Sequence, residues 1–334
     1  MTGWRSRGEA AAAAVVLDHL VGDPRDGLHP VAWFGRAMAW REAVAWRDDR
    51  WSGARHLCTG LAAAGLPTLV LGATARRFGG MAAERAFAVA VVATTLGARS
   101  LDRHASQIAG ALASGRPDVA RRVLPALAGR DPEGLDEAEI ARAVVESLAE
   151  NSVDAVVAPL FWAAVAGPIG AATYRAVNTL DAMVGHRSDR YRHFGWASAR
   201  ADDIANFVPA RIAAVLVALC VPRRAAEIVR AVRQQAPNHP SPNAGVVEAA
   251  FAAALAVRLG GTNSYGGVAE HRGELGHGRV ADTEDIARAR RLARRVTFTA
   301  ATALALPSLV RVVRPSLVRV VRPRGARRSR RDVP

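Results

Sequence analysis

Residues Glu146–Arg211 read ESLAENSVDAVVAPLFWAAVAGPIGAATYRAVNTLDAMVGHRSDRYRHFGWASARADDIANFVPAR. An apolar segment separates two dense polar groups: Glu146, Glu150, Asn151 and Asp154 before it, then Asn178, Asp181, Arg187, Asp189, Arg190, Arg200, Asp202, Asp203 and Asn206 after it. A single spanning helix would hold those groups apart by the hydrocarbon thickness, about 30 Å. One site could not use both. The run Val153–Ala166 is too short to span at about 1.5 Å per residue, and Gly167-Pro168-Ile169-Gly170 is a break signal. A second helical run, Ala171–Leu180, follows. The stretch is therefore expected to form a helix-break-helix hairpin whose open ends bring Asn151 and Asp154 to Asn178 and Asp181. The alternative is a tilted span kinked at Pro168, since membrane helices tolerate proline where neighbours satisfy the freed carbonyl.

Upstream, Leu57–Ala75 is apolar for long enough to span despite Pro67, and Ala86–Ala98 is a second, shorter run. The tight loop between them holds Arg76, Arg77 and Arg85, which assigns it to the cytoplasmic side of a membrane hairpin. From Arg99 to Ala149 charges of both signs accompany periodic Leu, Ile and Val. Ile140, Val144, Val145 and Leu148 share one helical face, with Asp136, Glu137 and Glu139 in the first turn. A water-exposed helical module thus leads into the hairpin, with Glu146 one turn before Glu150. Downstream come a short apolar run (Ile212–Val221), a basic amphipathic helix (Arg223–Gln235), a Pro- and Asn-rich loop, an Ala-rich helix and a Gly-rich turn around Tyr265. A charged helix (Thr283–Arg295) and a last apolar stretch (Val296–Val310) follow.

Strand signals are few. The expected fold is mainly α: polytopic membrane helices plus a helical, cytoplasm-facing portion, organised around the central hairpin. One membrane domain is expected over residues 1–310, and a basic, disordered tail over 311–334. Within that region Ser308–Pro315 recurs unchanged as Ser316–Pro323, too short a duplication to be a repeat fold. A mean hydropathy of +0.06 is low for a chain wholly inside lipid and suits membrane helices that carry an aqueous part.

The net charge of +15 raises nucleic acid as a partner, but its distribution argues against one. The chain has no lysine, and from Arg311 onward it carries nine arginines against one aspartate. A basic tail after an apolar segment suits anionic lipid headgroups or a cytoplasmic location. Cys58 and Cys220 lie in apolar runs without metal-ligand spacing and read as inert thiols. The opening apolar run is short and carries Asp18 and His19, unlike a cleavable signal peptide.

Ionisable residues beside membrane-depth segments are functional candidates. Adjacent Asp202 and Asp203 could hold Mg²⁺, which takes one or two carboxylates and completes its shell with water and phosphate oxygens; helix capping is the commoner reading of such a pair. Arg187, Arg190 and Arg192 supply guanidinium forks for carboxylate or phosphate, or simply a solvated charge run. Prolines flank His239 in NHPSPN and could present it with Asn243, although a lone loop histidine is usually incidental. Asp23, Arg25 and His29 project from a Gly-Asp-Pro turn that turn chemistry alone also explains. No Walker or dinucleotide fingerprint is present.

The stretches LDHLVGDPRDGLHPVAWFGR (17–36), ESLAENSVDAVVAPLFW (146–162), AVNTLDAMVGHRSDRYRHFGWASARADDIANFVPAR (176–211) and SPNAGVVEAAFAAALAVRLGG (241–261), with YGG at 265–267, resemble the adenosylcobinamide-phosphate synthases of cobalamin biosynthesis, the CbiB/CobD family. The matches run in order over most of the chain. Small departures are Ser152 where Thr is usual, His186 where an aromatic is common, and FAAALAV where FAGALGV is common.

The resemblance implies a multi-pass inner-membrane enzyme with a cytoplasmic site. It would join adenosylcobyric acid to aminopropanol or its O-phosphate through an amide bond, using ATP and Mg²⁺, with a lipid bilayer and other cobalamin-assembly enzymes as partners. Glu146, Asn151, Asp154, Asn178 and Asp181 are then the expected catalytic set. Arg187, Arg190, Arg200, Arg211, His239 and Asn243 are expected on substrate or phosphate, and Asp202 and Asp203 on the metal. A non-catalytic corrinoid scaffold and a transporter built on a broken helix are the alternatives.

Overall fold

The computed structural model describes residues 4–22, 27, 29–186, 188–265 and 267–320. Asp23, Arg25, Arg187 and the tail beyond Val320 lie outside them. In chain order the helices are α1 (Trp4–Val21), α2 (Pro30–Ala45), α3 (Arg50–Thr95), α4 (Ala98–Ala113), α5 (Pro117–Val123), α6 (Glu137–Ser152), α7 (Ala158–Leu180), α8 (Trp196–Cys220), α9 (Ala225–Gln234), α10 (Ala244–Leu255) and α11 (Thr283–Val320). A three-stranded sheet of β1 (Val257–Tyr265), β2 (Val268–Leu275) and β3 (Arg279–Val280), in the order β2-β1-β3, sits between α10 and α11. Among the described residues three helical stretches are long and apolar enough to cross a membrane: Arg50–Ala113, Glu137–Gly185 and Trp196–Cys220.

The mainly helical fold and its central hairpin are as the sequence leads one to expect. Gly167 takes φ +69°, ψ −155° inside α7, a region essentially restricted to glycine, and Pro168 restarts the helix. The chain reverses there: Asn178 Nδ2 donates to Asp154 Oδ2 at 3.1 Å, although a straight helix would separate those residues by roughly 36 Å. Gly80 in α3 adopts nearly the same geometry, φ +67°, ψ −160°. An Arg76–Glu84 ion pair of 2.6 Å closes that second hairpin near its tip.

The hairpins pack together with their tips at one end. Gly60 faces Leu180 and Gly65 faces Thr173, so the first arm of α3 runs antiparallel to the second arm of α7. A methyl at Gly60 would stand 2.6 Å from Leu180 Cδ1, so the Leu180 side chain would have to shift to admit one. α11 spans the same length. Near its start Arg290 pairs with Asp102 of α4 at 2.9 Å, and further along Leu304 lies against Gly8 of α1. Arg7 then donates to the carbonyl of Val165, beside the Gly167 tip.

Away from the tips, α6 begins at the acidic turn expected from the sequence. Asp136 and Glu139 form a reciprocal cap, with backbone-to-carboxylate distances of 2.8 and 2.9 Å. All twelve residues of α10 are buried. The Gly-rich segment read as a turn is instead a β-hairpin, with Tyr265 opposite Val268 around its tip and a bulge between Gly260 and Thr262. Glycines in a strand look like a turn in sequence, and here they supply the bulge.

Candidate active site

The open end of the α7 hairpin gathers side chains from three helical segments. Asp154 lies in a widened helical turn, Val153–Val157, and Asp181 in a second one, Asp181–Gly185; such π turns often occur at functional sites. Asn178 Nδ2, bonded to Asp154 at 3.1 Å, is also 3.3 Å from Asp202 Oδ1 of α8. Asn206 Nδ2 donates to Asp202 Oδ2 at 3.0 Å, and Tyr174 OH donates to Asn206 Oδ1 at 2.9 Å. Arg175 Nη1 donates to Asn178 Oδ1 at 3.3 Å. Asp154, Asn178, Asp181 and Asp202 are only half-buried. Asp181 stands within electrostatic range of Asp202, Asp203 and Glu150.

Glu146, Glu150 and Asp154 follow at four-residue spacing, one above another on the same helical face. At about 1.5 Å per residue the file is roughly 12 Å long. Glu150 is exposed, while Glu146 and Ser152 on either side are buried. Glu146 has a different task from the one expected. Its Oε1 accepts the backbone N–H of Gly260 at 2.7 Å, and its Oε2 takes the Arg130 guanidinium. Arg130 Nη1 in turn donates to Asn263 Oδ1 at 2.9 Å. Glu146 therefore anchors the β-hairpin over α6.

The other expected residues fall in several places. Asn151 donates back to Ser147 on its own helix, at 2.9 and 3.1 Å. Asp202 and Asp203 are not brought together on one ion, because consecutive helical positions point about 100° apart. Asp203 pairs instead with Arg200 at 3.5 Å. Arg190 reaches Glu42 of α2 at 3.0 Å and stacks over Trp46, which docks the 188–195 loop. Arg211 donates to Asn243 Oδ1 at 3.0 Å and stacks on Phe207, and Asn243 donates to the Asp203 carbonyl at 2.8 Å. Those two tie the Pro-rich loop to α8. His239 is buried, 3.8 Å from Glu248 Oε1.

Glu248, Arg130 and Arg272 were not among the expected site residues. Glu248 did leave a signal, as the one charge in the apolar run AGVVEAAFAAAL. Among the described residues no three or more His, Cys, Asp or Glu side chains are grouped to hold a metal ion by themselves. Mg²⁺ needs only one or two carboxylates when phosphate oxygens and water complete its shell. Asp154 and Asp202, converging on one amide, fit that requirement better than Asp202 with Asp203.

Fold and site together define a mainly helical protein with membrane-length apolar helices and a carboxylate–carboxamide cluster at their polar end. The family described as CobD/Cbib protein matches residues 11–293. The chain belongs to that family, and its role lies in cobalamin biosynthesis. It is 47% identical over 305 residues to the cobalamin biosynthesis protein CobD of Mycobacterium tuberculosis (strain ATCC 25618 / H37Rv), covering 89% of this chain and 95% of the relative. Proteins of the same name from Pelobacter propionicus (42% over 267 residues; 77% and 81% covered) and Halalkalibacterium halodurans (40% over 284 residues; 82% and 88%) are also similar. No solved structure matches the chain.

Proposed function

We propose that the chain is an ATP-dependent amide ligase that attaches (R)-1-amino-2-propanol or its O-phosphate to adenosylcobyric acid, as a multi-pass membrane protein with its site on the cytoplasmic side. Membership of a cobalamin-biosynthesis family supports this. The observation that carries it is the convergence of Asp154, Asn178 and Asp202 at the open end of the hairpin. Amide formation from a carboxylate with cleavage of ATP to ADP passes through an acyl phosphate, and its demands are positioned positive charge around phosphates and shelter from water. Asp154 and Asp202 would hold Mg²⁺, which supplies charge neutralisation at the transferring phosphate. Arg175, hydrogen-bonded to Asn178, sets a cation beside the same place.

Purified membranes given adenosylcobyric acid, ATP, Mg²⁺ and aminopropanol phosphate are expected to release one ADP per corrinoid amide formed. Corrinoid binding without ADP release would make the chain a scaffold, and vesicle uptake without product a transporter. Asp154→Asn and Asp202→Asn are each expected to lower turnover by roughly 100-fold or more, the scale of a lost transition-state electrostatic contact.

A further inference from the structure

Glu248 is 3% exposed and is the only charged residue of the fully buried α10. A carboxylate in such surroundings costs stability unless it is paired or used. Its neighbour His239 stands at 3.8 Å, beyond hydrogen-bond reach. His239 Nδ1 lies 3.1 Å from the backbone N–H of Ser241 and 3.3 Å from the Ser241 carbonyl; with Nδ1 accepting the shorter bond, the proton of a neutral imidazole is on Nε2. That nitrogen is buried and has no hydrogen-bond partner. Arg130 Nε and Asn263 Nδ2 are likewise buried donors without partners. The charged groups that face Glu248 are Glu146 and Glu150 of α6, Arg272 of β2, Arg130 and His239. Burial, with Glu146 and Glu150 adding to it, raises the Glu248 carboxyl well above the usual carboxylate range, and burial holds the His239 imidazole down in its neutral form. The buried cluster under the β-hairpin thus combines carboxylates with three unused donors, a set that a ligand bearing both N–H and oxygen groups would complete.

We propose that this cluster forms the subsite for the attacking primary amine, with Glu248 as the proton acceptor and His239 as the residue that positions its carboxylate. The proposal rests on the ligase reading above. The exposed Glu150 lies between this cluster and the Asp154–Asn178–Asp202 cluster, about 6 Å along the helical rise from each of Glu146 and Asp154. The amine enters as an ammonium ion, whose charge beside Glu248 favours the ionised carboxylate, and gives one N–H proton to a Glu248 carboxylate oxygen. Its freed lone pair attacks the acyl carbon of the acyl phosphate. The C–N bond forms, the C–O bond to phosphorus breaks, and the second N–H proton leaves with the departing phosphate.

The test assays the full chain in lipid nanodiscs with adenosylcobyric acid, ATP and Mg²⁺, using aminopropanol and, separately, hydroxylamine, whose nitrogen is largely unprotonated at neutral pH. In Glu248→Gln the ratio of the aminopropanol rate to the hydroxylamine rate is expected to fall by roughly 10²-fold or more, the scale of a lost general base. His239→Gln is expected to move the ratio the same way by less. The ratio does not depend on how much protein is folded, so an unchanged ratio in Glu248→Gln overturns the proposal. Should that variant yield no folded protein, Glu248→Asp withdraws the carboxylate by one methylene and must also shift the ratio. Wild-type protein that releases no ADP with either nucleophile fails the ligase reading instead.

Discussion

Asn178 Nδ2 lies between two carboxylates, 3.1 Å from Asp154 and 3.3 Å from Asp202, and keeps them close without neutralising them. Asn178→Asp would add a third carboxylate at that point, where like charges disfavour one another. Ligation is expected to drop by roughly 100-fold or more, with membrane insertion unchanged; full turnover would remove Asn178 from the site. Glu248 offers a test on stability. Its folded-state carboxyl is raised, so its contribution to stability is present below the unfolded carboxylate value, about 4.3, and is lost as pH climbs through the raised one. Glu248→Gln is therefore expected to melt several degrees higher than wild type at pH 8 and no higher at pH 4, as thermal scans would read. Asp154 and Asn178 were legible in sequence because a run too short to span was followed by Gly-Pro. The Arg130–Glu146–Asn263 linkage was not, since nothing local marks partners up to 133 residues apart. The Arg190–Glu42 contact was hidden for the same reason, its partners lying 148 residues apart.

Each helical hairpin turns on one glycine whose dihedrals an L side chain rarely adopts. Valine at either position is expected to cost about 1–3 kcal/mol, read as a lower melting midpoint. The functional outcomes should differ. Gly167→Val strains the reversal that joins Asp154 to Asn178 and is expected to lose activity at temperatures where it remains folded. Gly80→Val strains the other tip and is expected to keep activity under the same conditions. Equal losses in the two variants would mean that the Gly167 reversal has no special tie to the site. The break at Gly167 could be read because Pro168 follows it and the polar groups on either side needed a common place. The β-hairpin could not, because Gly260, Gly261 and Gly267 all take positive φ within or beside strands, so the composition resembles a loop.

For the molecule as a whole, α11 gives the scale: from the Asp102 partner Arg290 to Leu304 beside Gly8 it rises roughly 21 Å. The site and the basic α9 lie at the Arg290 end, and the hairpin tips at the other. The expectations of a cytoplasmic site and of a cytoplasmic loop holding Arg76, Arg77 and Arg85 therefore conflict for any hairpin that crosses completely. In a Cys58→Ser, Cys220→Ser background, an impermeant maleimide is expected to label Arg230→Cys from the cytoplasmic face and Phe78→Cys from the other. Labelling of both from one face would mean that the α3 hairpin enters and returns. The packing of α1 along α11 has a separate consequence, because the first helix begins where the last one reaches the tips, with Gly8 against Leu304. A circular permutant that joins α11 just past Leu304 to the start of α1 through a short linker, and opens the chain in the Ser114–Arg116 turn, is therefore expected to assemble the same bundle.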